Sequence, residues 1–184
     1  MAKTQAVRIN RAPVLTLWAA VVAERLGFDW AEALTLGRVV AGLNAYAKGK
    51  ALGIYKPHPR TVEEERRKEA AAPLRVDLLH RAVPCARTPD GLRAVSKDRP
   101  VAPDSVERYL SSKFGEALDD TIDAMRTLAQ SMDSEVLAER AYTLYEDFRP
   151  EVPAGARGWG ATGTLDLKKI RGLAKKTGLT RRTR

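Results

Sequence analysis

Residues 11–30 read RAPVLTLWAAVVAERLGFDW, and this stretch decides how the N-terminal part of the chain folds. Apolar side chains recur in it every three or four positions, which predicts a helix over about 11–26. Asn10 is placed to cap this helix, Pro13 is tolerated in its first turn, and Gly27 ends it. The predicted buried stripe consists of Val14, Leu17, Trp18, Val21, Val22 and Leu26.

A second, longer helix is predicted to follow after a very short turn. Asp29 and Glu32 have the spacing of a capping box, and the apolar period continues to about residue 50. Gly37 and Gly42 weaken an isolated helix, but they allow the backbone of another helix to come close. We therefore expect the two helices to pack as an antiparallel hairpin.

The first helix also resembles a secretory signal in outline, because Lys3, Arg8 and Arg11 precede the apolar stretch Ala12–Ala23. The helical period continues past the possible cleavage site near Ala23, which favours a core helix instead. No apolar run in the sequence reaches the roughly 18 residues that a transmembrane helix needs. We expect a cytoplasmic protein with no membrane partner.

The middle of the chain mixes helix and strand signals. Thr61 and Glu64 predict a capped, charged helix that runs to Ala72. Alternating apolar residues predict a strand over 75–82, and Thr88-Pro89-Asp90-Gly91 predicts a turn before a returning strand at 92–95. A lone β-hairpin is unstable in water, so this one has to pack on the helices or find a third strand.

The C-terminal half begins with the longest helical pattern. Asp104 and Glu107 suggest a capped start, and the apolar stripe predicts a helix over 105–131 with Gly115 as a weak point. A further helix over 135–148 would complete a second hairpin. A loop rich in proline and glycine follows, and Thr164 is predicted to cap a last helix over 165–176, followed by a basic and mobile tail.

These elements predict a mainly helical α+β protein, in which two helical hairpins flank a β-hairpin and a basic helix and tail follow. The predicted segments are an N-terminal helical hairpin at 1–60, a charged helix with the β-hairpin at 61–103, an acidic helical hairpin at 104–151, and the loop, basic helix and tail at 152–184. We expect residues 1–176 to form one compact domain, which is an ordinary size for a domain.

The charge is unevenly distributed along the chain. Its 32 Lys and Arg outweigh 23 Asp and Glu, for a formal net charge of +9. Residues 1–60 contain nine basic and three acidic residues, and residues 61–103 contain nine basic and seven acidic ones. Residues 104–151 contain five basic and twelve acidic residues, whereas residues 152–184 contain nine basic residues and one acidic residue. Three explanations remain open: ordinary solvated helix faces, a basic end folded onto the acidic hairpin, or basic segments that bind a polyanion.

Several catalytic and metal-binding classes are excluded by residue type. Cys85 is the one cysteine and the histidines are His58 and His80, so a disulfide within the chain and a Cys₄, Cys₂His₂ or three-His metal site are impossible. A P-loop, a GxSxG elbow and an HExxH helix are absent. Asp119, Asp120 and Asp123 form a cluster of three carboxylates, which we interpret as the solvated face of a helix. We expect no cofactor and no metal.

Gly158-Trp159-Gly160-Ala161-Thr162-Gly163 matches the glycine pattern of dinucleotide-binding loops. The preceding stretch contains two prolines and does not look like a strand, and Asp166 comes too early to bind a ribose, so we reject a Rossmann fold. A weaker hypothesis is that the loop and the helix after it contact a phosphate group. The alternative is that the glycines only make tight turns and Trp159 packs in the core.

The leading functional hypothesis is therefore a non-enzymatic module that binds nucleic acid mainly through phosphate contacts. The predicted binding residues are Arg157, Trp159, Thr162, Thr164, Lys168, Lys169, Arg171, Lys175 and Lys176. One alternative is a protein-interaction or regulatory module, with a protein partner or a homo-oligomer, that uses the acidic hairpin and the basic tail. A third is a small enzyme with an unrecognised pocket, which would show one deep cleft lined by polar side chains from distant segments.

Overall fold

The computed structural model describes residues 4–53, 59–155 and 161–182, with side-chain surroundings given to residue 179. It confirms a mainly helical α+β fold with two small antiparallel sheets. The helices are α1 (Arg11–Arg25), α2 (Trp30–Ala51), α3 (Val62–Ala71), α4 (Pro103–Phe114), α5 (Leu118–Gln130), α6 (Ser134–Phe148) and α7 (Leu167–Arg182). The strands are β1 (Ala6–Ile9), β2 (Leu74–Leu78), β3 (Arg81–Thr88), β4 (Gly91–Ser96), β5 (Arg99–Pro100) and β6 (Gly163–Asp166).

Helix α1 lies at the centre of the molecule. Every residue from 13 to 23 is buried, and the helix packs against α2, α4, α5 and α6. The indole Nε1 of Trp18 donates a hydrogen bond to the carbonyl of Ala141 at 2.8 Å. The rings of Trp18 and Phe148 pack edge to face, with their centroids 5.2 Å apart. The prediction of a single buried stripe was too narrow, because a helix that is apolar all round is buried on every side.

Capping boxes begin two of the helices, as the sequence predicts. The Asp29 carboxylate accepts from the backbone N–H of Glu32 at 2.8 Å, and the Glu32 carboxylate accepts from the backbone N–H of Asp29. Thr61 and Glu64 make the same reciprocal pair at the start of α3. These side chains satisfy backbone donors that have no partner inside the helix, which fixes where α2 and α3 begin.

The α1–α2 hairpin is held at a close backbone contact. A Cβ atom at Gly37 would overlap the carbonyl oxygen of Thr16 and lie 2.9 Å from the backbone nitrogen of Ala20. The prediction that glycine allows close helix approach is therefore confirmed at Gly37. It was wrong at Gly42, where a Cβ would meet nothing within 4 Å.

The four-stranded sheet has the order β2-β3-β4-β5. The predicted strand over 75–82 was wrong, because Leu79 and His80 form a two-residue turn between β2 and β3. Both have positive φ, 49° and 61°, the backbone shape of a type I′ hairpin turn. The predicted turn over 88–91 and the returning strand at 92–95 are confirmed.

Helix α2 fastens this sheet to the helical core. The backbone N–H of Leu92 donates to the Glu32 carboxylate at 2.8 Å, and that of Ala94 donates to the Thr35 hydroxyl at 3.0 Å. Strand β5 pairs with only the last two residues of β4, so α2 supplies acceptors where the neighbouring strand is too short. Residues three apart on one helix face thus hold the edge of the sheet.

The predicted continuous helix over 105–131 was wrong, because the chain breaks at Gly115. Gly115 has φ 56° and begins a 3₁₀ turn between α4 and α5. The predicted cap by Asp104 is also wrong, since α4 begins at Pro103 after Ala102 and has no side-chain cap. Proline suits that first position because it has no N–H to satisfy. Helix α6 begins and ends within one residue of its predicted bounds.

The predicted C-terminal helix is confirmed from Leu167 onward, but its predicted start at residue 165 and its cap by Thr164 were wrong. Thr164 lies in β6, which pairs antiparallel with β1, a strand that no pattern predicted. Val7 and Leu165 are directly opposite one another in this ribbon, and both are buried. Helix α7 begins after β6 and continues past the predicted end at residue 176 to Arg182, through most of the predicted mobile tail. Within the described residues, no helix is long and apolar enough to cross a membrane.

The close α1–α2 contact gives a direct test of the packing. We expect Gly37→Ala to lower the free energy of unfolding by about 1–3 kcal/mol or more, because the new methyl group meets the backbone of α1. Gly42→Ala is the matched control on the same helix, and it should raise stability by about 0.5–1 kcal/mol. Urea unfolding curves measure both values, and equal effects for the two substitutions would contradict this packing.

Candidate nucleic-acid interface

Helix α7 has an apolar face that packs inward and a lysine face that points outward. Leu167, Ile170 and Ala174 are buried, and the helix packs against α5 and β1. Four lysines on the opposite side are exposed. They occupy positions i, i+1, i+7 and i+8, which lie within about 120° of arc on an α-helix. We call this set the lysine face: Lys168, Lys169, Lys175 and Lys176.

One explanation of the charge pattern was that the basic C-terminal end folds onto the acidic hairpin, and α7 does pack on α5 of that hairpin. The C-terminal helix does fold onto the acidic hairpin, but buried apolar side chains make the contact. Lys169 Nζ lies 3.4 Å from Glu151 Oε1, and both side chains are largely exposed, so this ion pair adds little stability. Lys168 and Lys175 make no ion pair with any residue that the structure describes.

Arg171, a further predicted binding residue, does not belong to the lysine face. It is half-buried, and its Nη1 donates to the carbonyl of Thr4 at 3.4 Å. Its Nη2 is buried without a hydrogen-bond partner among the described residues. The guanidinium thus points towards the N-terminal segment, away from the surface where a large ligand would approach.

The loop before α7 supplies fewer ligand groups than the sequence suggests. Arg157 and Trp159 lie outside the described residues. Thr162 and Thr164 are exposed, and the backbone of Thr164 exchanges two hydrogen bonds with Glu151, at 3.1 and 3.2 Å. The structure therefore places Thr164 on the outer side of the β1–β6 ribbon and not at a helix cap.

The first amides of α7 are already occupied. The N–H of Leu167 donates to the carbonyl of Gln5 at 2.8 Å, and the N–H of Lys168 donates to the Asp166 carboxylate at 2.9 Å. Asp166 thus caps the helix and places a negative charge at the positive end of its dipole. These two amides are therefore not available to an anion, and anion binding by α7 would fall mainly to its exposed lysine side chains.

Cys85 and His80 do not form a catalytic pair. His80 lies in the exposed turn at one end of β3, and Cys85 lies in the buried part of that strand, about 13–16 Å further along at the usual rise per residue. The thiol donates to the carbonyl of Val83, and burial raises the pKa of Cys85 to about 11. A thiol with this pKa is protonated at neutral pH and is a poor nucleophile.

The structure contains a cleft of about 550 Å³ between the α5–α6 turn, α6 and α7. Its lining includes two carboxylates and two basic groups, those of Asp133, Asp147, Arg140 and Lys176, together with the partly exposed Val136. Neither a histidine nor a cysteine lines it, so it offers no nucleophilic pair built on either residue. Within the described part of the chain, no group of three or more His, Cys, Asp or Glu is placed to hold a metal ion.

Comparison with known proteins adds no assignment. A scan against models of protein families, a search of curated proteins and a search of solved structures each found no match. Function is therefore argued from the geometry of this chain alone. On that basis the lysine face is the best candidate site, because it joins four of the predicted residues on one exposed and rigidly held surface.

A second set of basic side chains was missed by the sequence analysis. Arg11, Lys48, Arg81 and Arg149 come from separate parts of the chain, and the three arginines lie close enough to Lys48 for their charges to act on its ammonium group. They are spread over 139 positions of the sequence, so no local charge count collects them. The one sequence signal was the excess of basic residues in 1–60, which contributes two of the four.

The buried thiol predicts slow chemical labelling. Because its pKa is raised, the thiolate fraction of Cys85 at pH 8 is far smaller than that of a free cysteine. We expect a thiol-specific reagent to label the folded protein much more slowly than the same protein in guanidinium chloride. Mass spectrometry measures the extent of labelling, and equal rates in the two conditions would contradict burial of this residue.

Proposed function

We propose that this protein binds nucleic acid mainly through phosphate contacts, with the lysine face of α7 as the interface. The observation that supports this most is the division of α7 into a buried apolar face and an exposed face of four lysines. Apolar docking on α5 fixes the direction of the lysine face. A rigid array of positive charge attracts phosphates and gains affinity by releasing their counterions.

The spacing of the lysines suits a repeating anion. Lys168 and Lys175 lie two helical turns apart, about 10 Å along the helix axis, and Lys169 and Lys176 repeat the same interval. Ammonium groups on flexible stems bind phosphate as point charges and do not impose the geometry of base recognition. The proposed binding is therefore largely independent of nucleotide sequence and strongly dependent on salt.

A protein-interaction module is the alternative, in which the acidic hairpin or the cleft beside α7 meets a protein partner or a second copy of the chain. Val136 is 40% exposed at the mouth of this cleft and gives it some apolar surface. The two functions respond differently to the same change. Replacing the lysine face would abolish nucleic-acid binding in the first case and would change the oligomeric state or compactness in the second.

The lysine face predicts a specific change in salt dependence. We expect the quadruple variant Lys168→Gln, Lys169→Gln, Lys175→Gln and Lys176→Gln to bind a short DNA duplex much more weakly at about 50 mM salt. The slope of log K against log salt should become shallower by about 3–4 if all four lysines contact phosphate, at about 0.9 per contact. Fluorescence anisotropy between about 50 and 200 mM salt measures both quantities.

A matched control removes the same number of charges elsewhere. The control variant carries four substitutions at exposed positions on α3 and in the β4–β5 turn: Arg66→Gln, Arg67→Gln, Lys68→Gln and Lys97→Gln. This variant has the same net charge as the lysine-face variant, so it should keep most of the affinity if binding is local. Equal losses in the two variants would overturn the assignment of the interface to α7, and unchanged binding in the first would do so as well.

A further inference from the structure

Four basic side chains meet at one end of the helical core, and we call them the cation cluster. Arg11 comes from the start of α1, Lys48 from the last turn of α2, Arg81 from the start of β3, and Arg149 from the end of α6. All four are half-buried. The elements that carry them pack against one another, α1 against α2 and α6, and α2 against β3.

Arg81 is held in place by a small polar network. Its Nη2 donates to Asn44 Oδ1 at 3.0 Å, and the Tyr142 hydroxyl donates to the same oxygen at 3.3 Å. Asn44 is buried, and it lies one turn before Lys48 on α2. The network fixes one edge of the guanidinium of Arg81, and its other N–H groups have no partner among the described residues.

A hydrogen bond ties Arg11 to the segment that contains Arg149. Arg11 Nε donates a hydrogen bond to the carbonyl of Pro150 at 3.1 Å, and Pro150 directly follows Arg149 in the chain. The backbone N–H of Arg149 donates to the carbonyl of Tyr145 at 2.7 Å. The rings of Tyr145 and Tyr142 lie 5.9 Å apart and link this side of the cluster to the Arg81 network.

No described carboxylate lies within ion-pair distance of this group of charges. None of the four side chains forms an ion pair with a described residue. Burial, and then the charges of Arg149 and Arg11, lower the pKa of Lys48, while Glu146 acts in the opposite sense from an exposed position. Burial raises the pKa of Tyr145 to about 12, so this phenol stays neutral and cannot serve as the counterion.

Like charges that are half-buried together repel one another, and their repulsion is relieved when an anion binds between them. Guanidinium groups have the planar fork of donors that matches phosphate oxygens, and a lysine adds a compact point charge. Three arginines and one lysine supply the positive charge and the donor groups that a doubly charged anion needs. Such groups cluster at functional sites more often than elsewhere.

We propose that the cation cluster of Arg11, Lys48, Arg81 and Arg149 is a binding site for one phosphate group. The group could be the phosphomonoester of a small molecule or a phosphate of a nucleic-acid backbone, and the chemistry of recognition is the same. The site uses none of the lysines on α7, so it does not rest on the function proposed above.

The test is a titration of the full chain with inorganic phosphate at constant ionic strength. Calorimetry gives the affinity, and thermal unfolding gives the stabilisation. At phosphate concentrations about ten times Kd, the melting temperature of the wild type should rise by about 3–6 °C. Lys48→Met and Arg149→Gln should each weaken the affinity by tenfold or more.

Lys50→Met is the matched control, because Lys50 is exposed on the same helix two residues further on. It should keep the wild-type affinity and temperature shift. A second readout tests repulsion without any ligand: at low salt and without phosphate, Lys48→Met should melt at a higher temperature than the wild type. That result also shows that the variant folds, and if Arg149→Gln fails to fold, Lys48→Met decides the question.

Two outcomes would overturn the site: no temperature shift in the wild type, or equal shifts in the wild type, Lys48→Met and Lys50→Met. Competition then identifies the source of the phosphate. Displacement of inorganic phosphate by a duplex without terminal phosphates assigns the site to a nucleic-acid backbone, and displacement by glycerol phosphate alone assigns it to a small phosphomonoester. Displacement by neither would contradict the proposal. Binding of duplex to the α7 variants is measured separately, so the two proposals can fail independently.

Discussion

Burial of α1 on every side from residue 13 to residue 23 is the constraint on which the rest of the structure depends. A helix that is apolar on every side is stable only when other elements cover all of its faces. Helices α2, α4, α5 and α6 do so, and Gly37 lets α2 come so close that backbone meets backbone. The Trp18 indole satisfies its N–H on the Ala141 carbonyl, so the largest side chain in the core leaves no polar group unpaired.

The two candidate binding surfaces follow from this core. Helix α5 packs on α1, and α7 packs on α5, so the direction of the lysine face is fixed through two layers of apolar contact. The cation cluster forms where the ends of α1, α2 and α6 meet the sheet, and Glu32 and Thr35 hold that sheet on α2. The lysine face lies on a helix, and three of the four residues in the cation cluster lie within helices or a strand, while Arg149 directly follows α6. Rigid elements place charged groups more accurately than loops do.

Local signals in the sequence predicted much of the helical structure. The capping pair at Asp29 and Glu32 and the apolar period of α6 placed those helices within about one residue. The turn at Leu79 and His80 escaped because it lacks the glycine or asparagine that usually marks positive φ. The β1–β6 ribbon escaped because its partners are more than 150 residues apart, and a four-residue strand has too few positions to show a period.

The candidate sites were predictable to different degrees. Lys168, Lys169, Lys175 and Lys176 were found from their local excess of charge, but the docking of α7 on α5 was needed to show that they share an exposed face. The cation cluster was not predictable, because only the tertiary fold brings Arg11 to the carbonyl of Pro150, which follows Arg149. Thr164 was misread because a threonine before a helix is equally compatible with a cap and with a strand residue.

The central claim is that the lysine face of α7 is where the protein meets nucleic acid, and a lysine footprint tests it most directly. The full chain is acylated with and without a short DNA duplex at about 50 mM salt, and mass spectrometry measures the reactivity of each lysine. The four lysines of the face should lose reactivity when duplex is present, while the exposed Lys68 and Lys97 should not. Bound duplex with equal protection of all lysines, or with protection confined to Lys68 and Lys97, would contradict the account.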